Sequence, residues 1–399
     1  MKIPRIEVKN IRIFYILNLL LSASFIAGNW IFFWTLYMSY EQLGVVDSIG
    51  FAFAMLVQIP SGAIADVIGK KKTVLIALFA STLGIFIMSM GISLTNILVG
   101  YLIAHFGWTM FSGSAEALAY DSLVEKNCEE DFDKVISFVS AISTVVASIT
   151  ILLGIPLYSV SPNFPHVIWG VFNLISFVIA FALTEPKVET ETFSFKGYFS
   201  QMVKGVKQIF GKKLRMYVVI IFCIIGMIYM YQWGLIQPSV AIENGLYDRG
   251  QSVVYSVAAL LSSLAALAVP FFRKRVSDFK GLSILGVIVS LIFLLFSFNL
   301  ANLIVLPMVL IIVIGGIAHP WIMTVVNINI PSKYRATTIS TMMLISQIPY
   351  VLVAIIAGRM IEGGRLSLFM TGVFLITFLG IVVNTIIYYV SKRFFSKKL

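Results

Sequence analysis

The sequence predicts an all-α membrane protein with twelve transmembrane helices, arranged as two six-helix bundles. Of its 399 residues, 59% are apolar and only 12% are charged, whereas soluble domains carry about 25% charged residues. Twelve apolar runs are long enough to cross a bilayer, which takes about 20 residues in a helix. The basic residues lie almost entirely outside these runs, in every second connection, and therefore on one side of the predicted membrane.

The twelve runs follow one another with short polar connections. The first run follows a basic N-terminal segment. Its length of about 25 residues exceeds the 7–15-residue core of a cleaved signal peptide, so we expect it to be retained. The runs cover residues 12–38, 46–66, 72–92, 95–123, 135–158, 166–184, 216–238, 252–272, 281–300, 302–330, 337–358 and 366–390.

The charge distribution predicts the orientation. With the N-terminus in the cytoplasm, all but three of the 29 Lys and Arg residues fall on the cytoplasmic side, the exceptions being Arg249, Arg359 and Arg365. The positive-inside rule therefore favours two cytoplasmic termini. A net charge of +11 spread along a membrane face does not indicate nucleic-acid binding.

A long hydrophilic stretch divides the chain into two halves. We predict an N-terminal bundle over residues 1–184, a cytoplasmic linker over 185–215 and a C-terminal bundle over 216–399. Within the linker, apolar residues recur at helical spacing from Phe195 to Phe210, with lysines between them. This pattern predicts an amphipathic helix on the inner membrane surface; a disordered charged linker is the alternative.

The connection between the second and third runs, Gly62–Val74, combines two glycines, an aspartate and three lysines. Gly62 allows close helix approach, and Gly69 can adopt the positive φ of a very short turn. The stretch resembles the signature G-x-L-A-D-x-x-G-R-K-x-x-L of the major facilitator superfamily, with Ile64, Lys70 and Val74 replacing Leu, Arg and Leu.

The resemblance implies that the halves are parallel repeats with substrate bound between them near the membrane midplane. It also implies a cytoplasmic gate in which Asp66 latches onto the start of the eleventh helix; alternatively, Asp66 only organises its own turn. The second half offers a degenerate echo of the signature in Arg273–Gly281. The predicted gate residues are Gly62, Asp66, Gly69, Lys70, Lys71, Asp121 and Arg335.

The fourth run carries unusual acids. Ser112–Leu123 resembles a variant found in some bacterial members of the superfamily, of the drug/proton antiporter type. Asp121 lies within reach of Lys70 or Lys71, as a gate partner or a substrate ligand. Glu116 lies about 10 Å deeper, where burial favours protonation. It is the predicted proton-coupling site, unless it stays paired with a lysine. His105, three turns away, is a candidate relay or a structural histidine.

Polar and aromatic residues inside the runs predict a substrate pocket. His319 precedes Pro320, so it either contacts substrate or satisfies the carbonyl that the proline frees. No Lys or Arg lies in any predicted helix core, so the pocket favours cationic or neutral, lipophilic solutes over anions. The predicted substrate-binding residues are Asn18, Ser22, Asn29, Ser112, Tyr229, Gln232, Trp233, His319, Trp321 and Gln347.

These features predict a proton-coupled exporter of lipophilic cationic or neutral compounds, working by alternating access. Two departures weaken the resemblance to the antiporters, many of which carry an Arg in the fourth helix and a glycine-proline signature in the fifth. Here the fourth run has no Arg, and the fifth offers only Gly154-Ile155-Pro156. Uptake of a small neutral solute by proton symport is an alternative, and a receptor or scaffold is the non-transport alternative. No enzyme motif, cofactor or metal site is predicted. We expect a monomer in a bilayer, in the bacterial cytoplasmic membrane.

Overall fold

The computed structural model describes residues 3–187, 195–211 and 214–396, and within these ranges the regular secondary structure is entirely helical. The first half contains Lys9–Leu21 (α1), Trp30–Trp34 (α2), Tyr40–Ile68 (α3), Lys70–Ser89 (α4), Leu94–Val124 (α5), Phe132–Val160 (α6) and Phe164–Ala180 (α7). The second contains Phe195–Ile209 (α8), Val218–Gln232 (α9), Ile236–Glu243 (α10), Asp248–Ala266 (α11), Val269–Arg273 (α12), Asp278–Leu295 (α13), Val305–Asn329 (α14), Ser332–Glu362 (α15) and Leu366–Ser396 (α16).

Three predicted runs are broken. The first run ends as α1 at Leu21 and resumes as α2, because the Ser24 N–H turns away to the hydroxyl of Thr150 on α6 (2.8 Å). The seventh run divides into α9 and α10, which are bent by 63°, and the eighth into α11 and α12. Among the described residues, eight helices are long and apolar enough to cross a membrane, or up to nine if α9 and α10 form one span.

The helices form two compact units. Unit 1 comprises Met1–Ser39, Ile49–Tyr198 and Asp248–Ser256. Its helices α4 and α5 are packed closely, because Gly84 and Gly100 each meet the backbone of the other helix where a side chain would stand. Buried apolar residues of α1, α4 and α5, such as Leu17, Leu78 and Leu118, form the core beside them.

Unit 2 comprises Tyr40–Ser48, Phe199–Tyr247 and Val257–Leu399. Helices α9, α13, α14, α15 and α16 pack together. Stacked rings fill this core, including Phe279 on Tyr388, whose centroids are 3.5 Å apart, and Tyr231 on Phe296 at 5.1 Å. The first turns of α3 belong to this unit, where Gly44 meets the backbone of α15 at Ala354.

The predicted linker helix is present as α8. Residues 188–194 and the side chains of 195–199, 201 and 202 lie outside the described part of the chain. The position of α8 on a membrane surface stays a prediction.

Candidate functional site

The turn between α3 and α4 consists of a single residue, Gly69, with φ +98° and ψ 143°. The positive φ expected at this glycine is present. The backbone N–H groups of Lys70 and Lys71 both donate to the carboxylate of Glu185, at 2.7 and 2.8 Å. Glu185 therefore caps α4 and occupies the space beside Gly69, where a Cβ would lie 3.2 Å from its oxygen.

A buried ion pair lies directly behind this turn. The Nζ of Lys70 pairs with Oδ2 of Asp121 on α5, and their side chains are only 10% and 12% exposed. The next residue, Ser122, accepts a hydrogen bond from Asn10 of α1 at 2.8 Å. The same amide donates to the Thr184 carbonyl at 2.9 Å, so α1, α5 and the chain after α7 are tied together at the pair.

The proposed latch falls partly outside the described residues. The backbones of Gly62 and Asp66 lie in α3 and that of Arg335 lies in α15. The side chains of Asp66 and Arg335 are outside the described part of the chain. The gating role of all these residues stays a prediction.

Glu116 and Ser112 lie one turn apart on α5 and both are exposed. Gly113 and Tyr120 extend this exposed face, and no atom lies within 4 Å of the position of a Cβ on Gly113. Within the described ranges, Glu116 makes no hydrogen bond or ion pair, since Lys70 is taken by Asp121.

His105, three turns away on the same helix, does not lie on this exposed face. Its ring is only 9% exposed and is enclosed by Phe51, Tyr101 and Trp108, with centroids at 5.5, 4.2 and 5.1 Å. The helical register is as predicted, but Phe51 of α3 covers α5 at His105. Its Nε2 atom has no hydrogen-bond partner among the described residues.

The three polar residues predicted from the first run serve the local backbone. Asn18 donates to the Phe14 carbonyl at 2.8 Å and Ser22 to the Asn18 carbonyl at 2.5 Å. Asn29 is 1% exposed, and its amide donates to the Phe25 carbonyl at 3.0 Å. They do not form one helix face, because α1 ends at Leu21.

A cavity of about 520 Å³ lies within unit 2, among α9, α11, α14 and α15. It brings together five of the predicted substrate residues, from three different helices. Its other walls are isoleucines, one methionine and small residues, and no Asp, Glu, Lys or Arg is among the lining residues described. The polar and aromatic lining residues are Tyr229, Gln232, Trp233, Ser262, His319 and Gln347.

Trp321 points elsewhere. It is 3% exposed, and its indole N–H donates to Oδ1 of Asp278 at 2.8 Å. Arg273 holds both oxygens of the same carboxylate at 2.9 and 3.0 Å, and this pairing raises the pKa of the guanidinium. The neighbouring His319 lines the cavity because it lies about 200° around α14 from Trp321.

One buried acid was missed by the sequence reasoning. Asp47 is 2% exposed and accepts a hydrogen bond from the hydroxyl of Tyr350 at 2.6 Å. The apolar run was taken to begin at residue 46, which placed Asp47 at a helix end. The helix begins at Tyr40, so Asp47 lies inside it.

Solved structures of transporters share this fold at low sequence identity. The nucleoside transporter NupG is 14% identical, with 96% of this chain and 99% of that chain covered and a TM-score of 0.73. A POT family transporter in complex with 5-aminolevulinic acid is 12% identical, with 94% and 95% covered and a TM-score of 0.72. A bacterial homologue of the human lysosomal transporter Spinster, in an inward-facing and unoccupied conformation, is 15% identical, with 100% and 98% covered and a TM-score of 0.69.

A search of curated protein sequences finds no significant match. The family description that matches is the Major Facilitator Superfamily, over residues 13–354. This range includes the Gly62–Val74 turn, α5 and the cavity helices α9, α11 and α14. The chain therefore belongs to the major facilitator superfamily and is a multi-pass membrane transporter of small molecules rather than an enzyme.

Proposed function

We propose that this protein is a proton-coupled exporter of lipophilic, cationic or neutral small molecules that works by alternating access. The observation that carries the proposal is the uncharged cavity of unit 2, lined by aromatic rings, amides and isoleucines. A pocket of this kind is mostly apolar, with a few polar groups that orient the ligand. Anionic solutes are held by Arg or Lys in most sites, and the described lining offers neither.

Within this proposal Tyr229, Gln232, Trp233, His319 and Gln347 bind solute. Ser112 lies on the exposed face of α5 and is a further candidate contact. Asn18, Ser22, Asn29 and Trp321, which were predicted to bind solute, hold backbone or side-chain partners instead. We therefore leave these four out of the proposed binding set.

Glu116 is the proposed proton carrier. It is an exposed acid without an ion pair among the described residues, on a helix that belongs to a membrane transporter. A carboxylate at membrane depth costs a few kcal/mol, in order of magnitude, in its charged form. A carboxyl group that alternates between the charged and the neutral form can link proton movement to solute movement. His105 has no part in this step, since aromatic rings enclose it.

The Gly69 turn is the proposed cytoplasmic gate, with Lys70, Lys71 and Asp121 beside it and with Asp66 and Arg335 as further gate residues. We also propose twelve membrane spans in two six-helix bundles, over residues 1–184 and 216–399, connected by the linker 185–215. Both termini are then cytoplasmic, and the protein is a monomer in a bacterial cytoplasmic membrane.

Uptake of a small neutral solute by proton symport is the second candidate. The two side-chain amides of the cavity, Gln232 and Gln347, favour it, because they suit a solute rich in hydrogen-bonding groups. The similarity in fold to a nucleoside transporter is compatible with such a solute.

A transport assay with purified protein in liposomes tests both candidates. An imposed pH gradient should drive ethidium, a lipophilic cation, whereas citrate should not move; movement of uridine instead of ethidium would favour the symporter. Transport of citrate, or no response of any probe to the gradient, would contradict the proposal. Glu116→Gln should abolish the gradient-driven movement and keep ethidium exchange at equal pH. Unchanged gradient-driven transport in this variant would remove Glu116 from the mechanism.

A further inference from the structure

The buried acid Asp47 has a specific neutral partner. The Tyr350 hydroxyl on α15 donates to its Oδ2 atom at 2.6 Å, and both side chains are almost fully buried, at 2% and 1% exposure. An ionisable residue inside a membrane helix is costly and usually marks a functional site. Asp47 lies in the first turns of α3, which belong to unit 2.

Tyr350 also connects Asp47 to the break between α9 and α10. Its hydroxyl oxygen accepts a hydrogen bond from the backbone N–H of Leu235 at 3.2 Å. Gly234 makes this approach possible, because a Cβ there would coincide with the Tyr350 hydroxyl. One phenol therefore joins a carboxyl group to the point where a broken helix changes direction.

The same phenol adjoins the cavity. Tyr229 lines the cavity and packs edge-on against Tyr350, with ring centroids 6.2 Å apart. Tyr229 is also within electrostatic range of Asp47. Two phenols, Tyr229 of α9 and Tyr350 of α15, are thus among the titratable groups near Asp47, and Tyr229 lines the cavity.

The charged contacts of this segment lie one to two turns before Asp47. Arg359 donates to Glu41 at 2.6 Å, and the Tyr40 N–H donates to Glu362 at 2.7 Å. Ser48, on the other side, donates to the Val351 carbonyl. The first turns of α3 are therefore attached to α15 at several points, and Asp47 is the buried acid among them.

We propose that Asp47 is a second proton-binding site, whose protonation loosens the Tyr350 bridge between α3, α15 and the α9–α10 break. This inference rests on the proposed proton coupling and assigns it a carboxyl group in unit 2. The ionised carboxylate receives a charge-assisted hydrogen bond, about twice as strong as a neutral one. Proton binding to Asp47 removes that charge, so Tyr350 is held less firmly. The cavity wall at Tyr229 and the hold of α3 on α15 weaken together.

The test uses the full-length protein in liposomes with ethidium as the probe. Asp47→Asn keeps the size and the hydrogen bond but cannot release a proton. It should lose pH-gradient-driven movement of ethidium and retain ethidium exchange at equal pH. Asp47→Glu should recover part of the driven movement. Retained gradient-driven movement in Asp47→Asn would overturn the proposal.

Two further variants separate proton binding from packing. Tyr350→Phe keeps the ring and removes the donor that favours the charged acid, so the pH midpoint of driven transport should move to higher pH. Glu41→Gln breaks the exposed ion pair of the same segment and should leave the midpoint in place. An equal shift in both variants would show that the effect belongs to segment packing and would overturn the proposal.

Loss of both driven movement and exchange in Asp47→Asn, with no recovery in Asp47→Glu, would make Asp47 a structural residue and overturn the inference. A wild-type protein that ignores the pH gradient would contradict the proposed function itself, and the inference would fall with it.

Discussion

Each unit has a carboxylate at the N-terminus of a helix, with basic residues at or just before the helix start. The two units differ in where that carboxylate comes from. In unit 1, α4 begins with three lysines, the unfavourable charge for that end of a helix, and the acid comes from Glu185, 115 residues away. In unit 2, α13 begins with its own acid, Asp278. The unit 1 turn depends on tertiary contacts, and the unit 2 turn is closed locally.

The basic residues at the two helix starts also differ in how far away their carboxylate partners lie along the chain. Lys70 reaches a carboxylate on the neighbouring helix α5, whereas Arg273 holds Asp278 five residues ahead. In unit 2 the neighbouring helix α14 contributes an indole, Trp321, rather than an acid. Gly281 provides the space for that ring, since a Cβ would meet it. Both units therefore connect a basic helix start to a neighbouring helix, but they use different side chains for that connection.

The largest effect is expected at the buried pair. Lys70→Met leaves the Asp121 carboxylate buried without its partner, which typically costs about 3–5 kcal/mol of stability. The midpoint of thermal unfolding in detergent should fall clearly. The double variant Lys70→Met with Asp121→Leu should recover most of the loss, because no unpaired charge remains. A double variant no more stable than the single one would show that the charges are not coupled.

The Asp278 cluster should respond less. Asp278→Asn removes the charge that Arg273 holds while keeping a hydrogen-bond acceptor for Trp321. Arg273 and Asp278 are 23% and 28% exposed, so solvent screens their interaction and we expect a loss of about 1–2 kcal/mol. The same thermal unfolding assay gives the comparison. A loss equal to that of Lys70→Met would contradict the distinction between a buried and a half-exposed joint.

Some features of these two turns could be predicted from the sequence, and others could not. The positive φ of Gly69 follows from a turn too short for any other residue, and this expectation was confirmed. The capping role of Glu185 could not be predicted, because no local sequence pattern identifies a residue that caps a helix from 115 positions away. Trp321 follows His319 and Pro320, which suggested that it lines the pocket, but its hydrogen-bond partner Asp278 lies 43 residues earlier.

Five residues predicted to share a pocket do line one cavity, whereas several helix ends differ from the predicted ones. Tyr229, Gln232 and Trp233 share the end of one helix, and His319 and Gln347 reach the same space from α14 and α15. The burial of Asp47 was not predicted, because the first two turns of α3 are polar and the helix was expected to begin only at residue 46. The breaks after α1 and α9 were missed because both runs stay apolar, and tertiary partners such as Thr150 and Tyr350 take up the freed N–H groups.

The smallest effect should come from the cap itself. Glu185→Gln keeps one side-chain oxygen for the N–H groups of Lys70 and Lys71 and removes the negative charge from the start of α4. Glu185 is exposed, and a charge at an exposed helix end contributes about 0.3–1 kcal/mol at low salt. The thermal midpoint should therefore fall slightly at low ionic strength, and the difference from wild type should shrink as salt is added. Asp278→Asn is the matched comparison, because its bidentate partner lies 2.9 Å away and short-range pairing is screened less. If salt removed both differences equally, the local closure of the unit 2 turn would have no energetic advantage over the distant cap of unit 1.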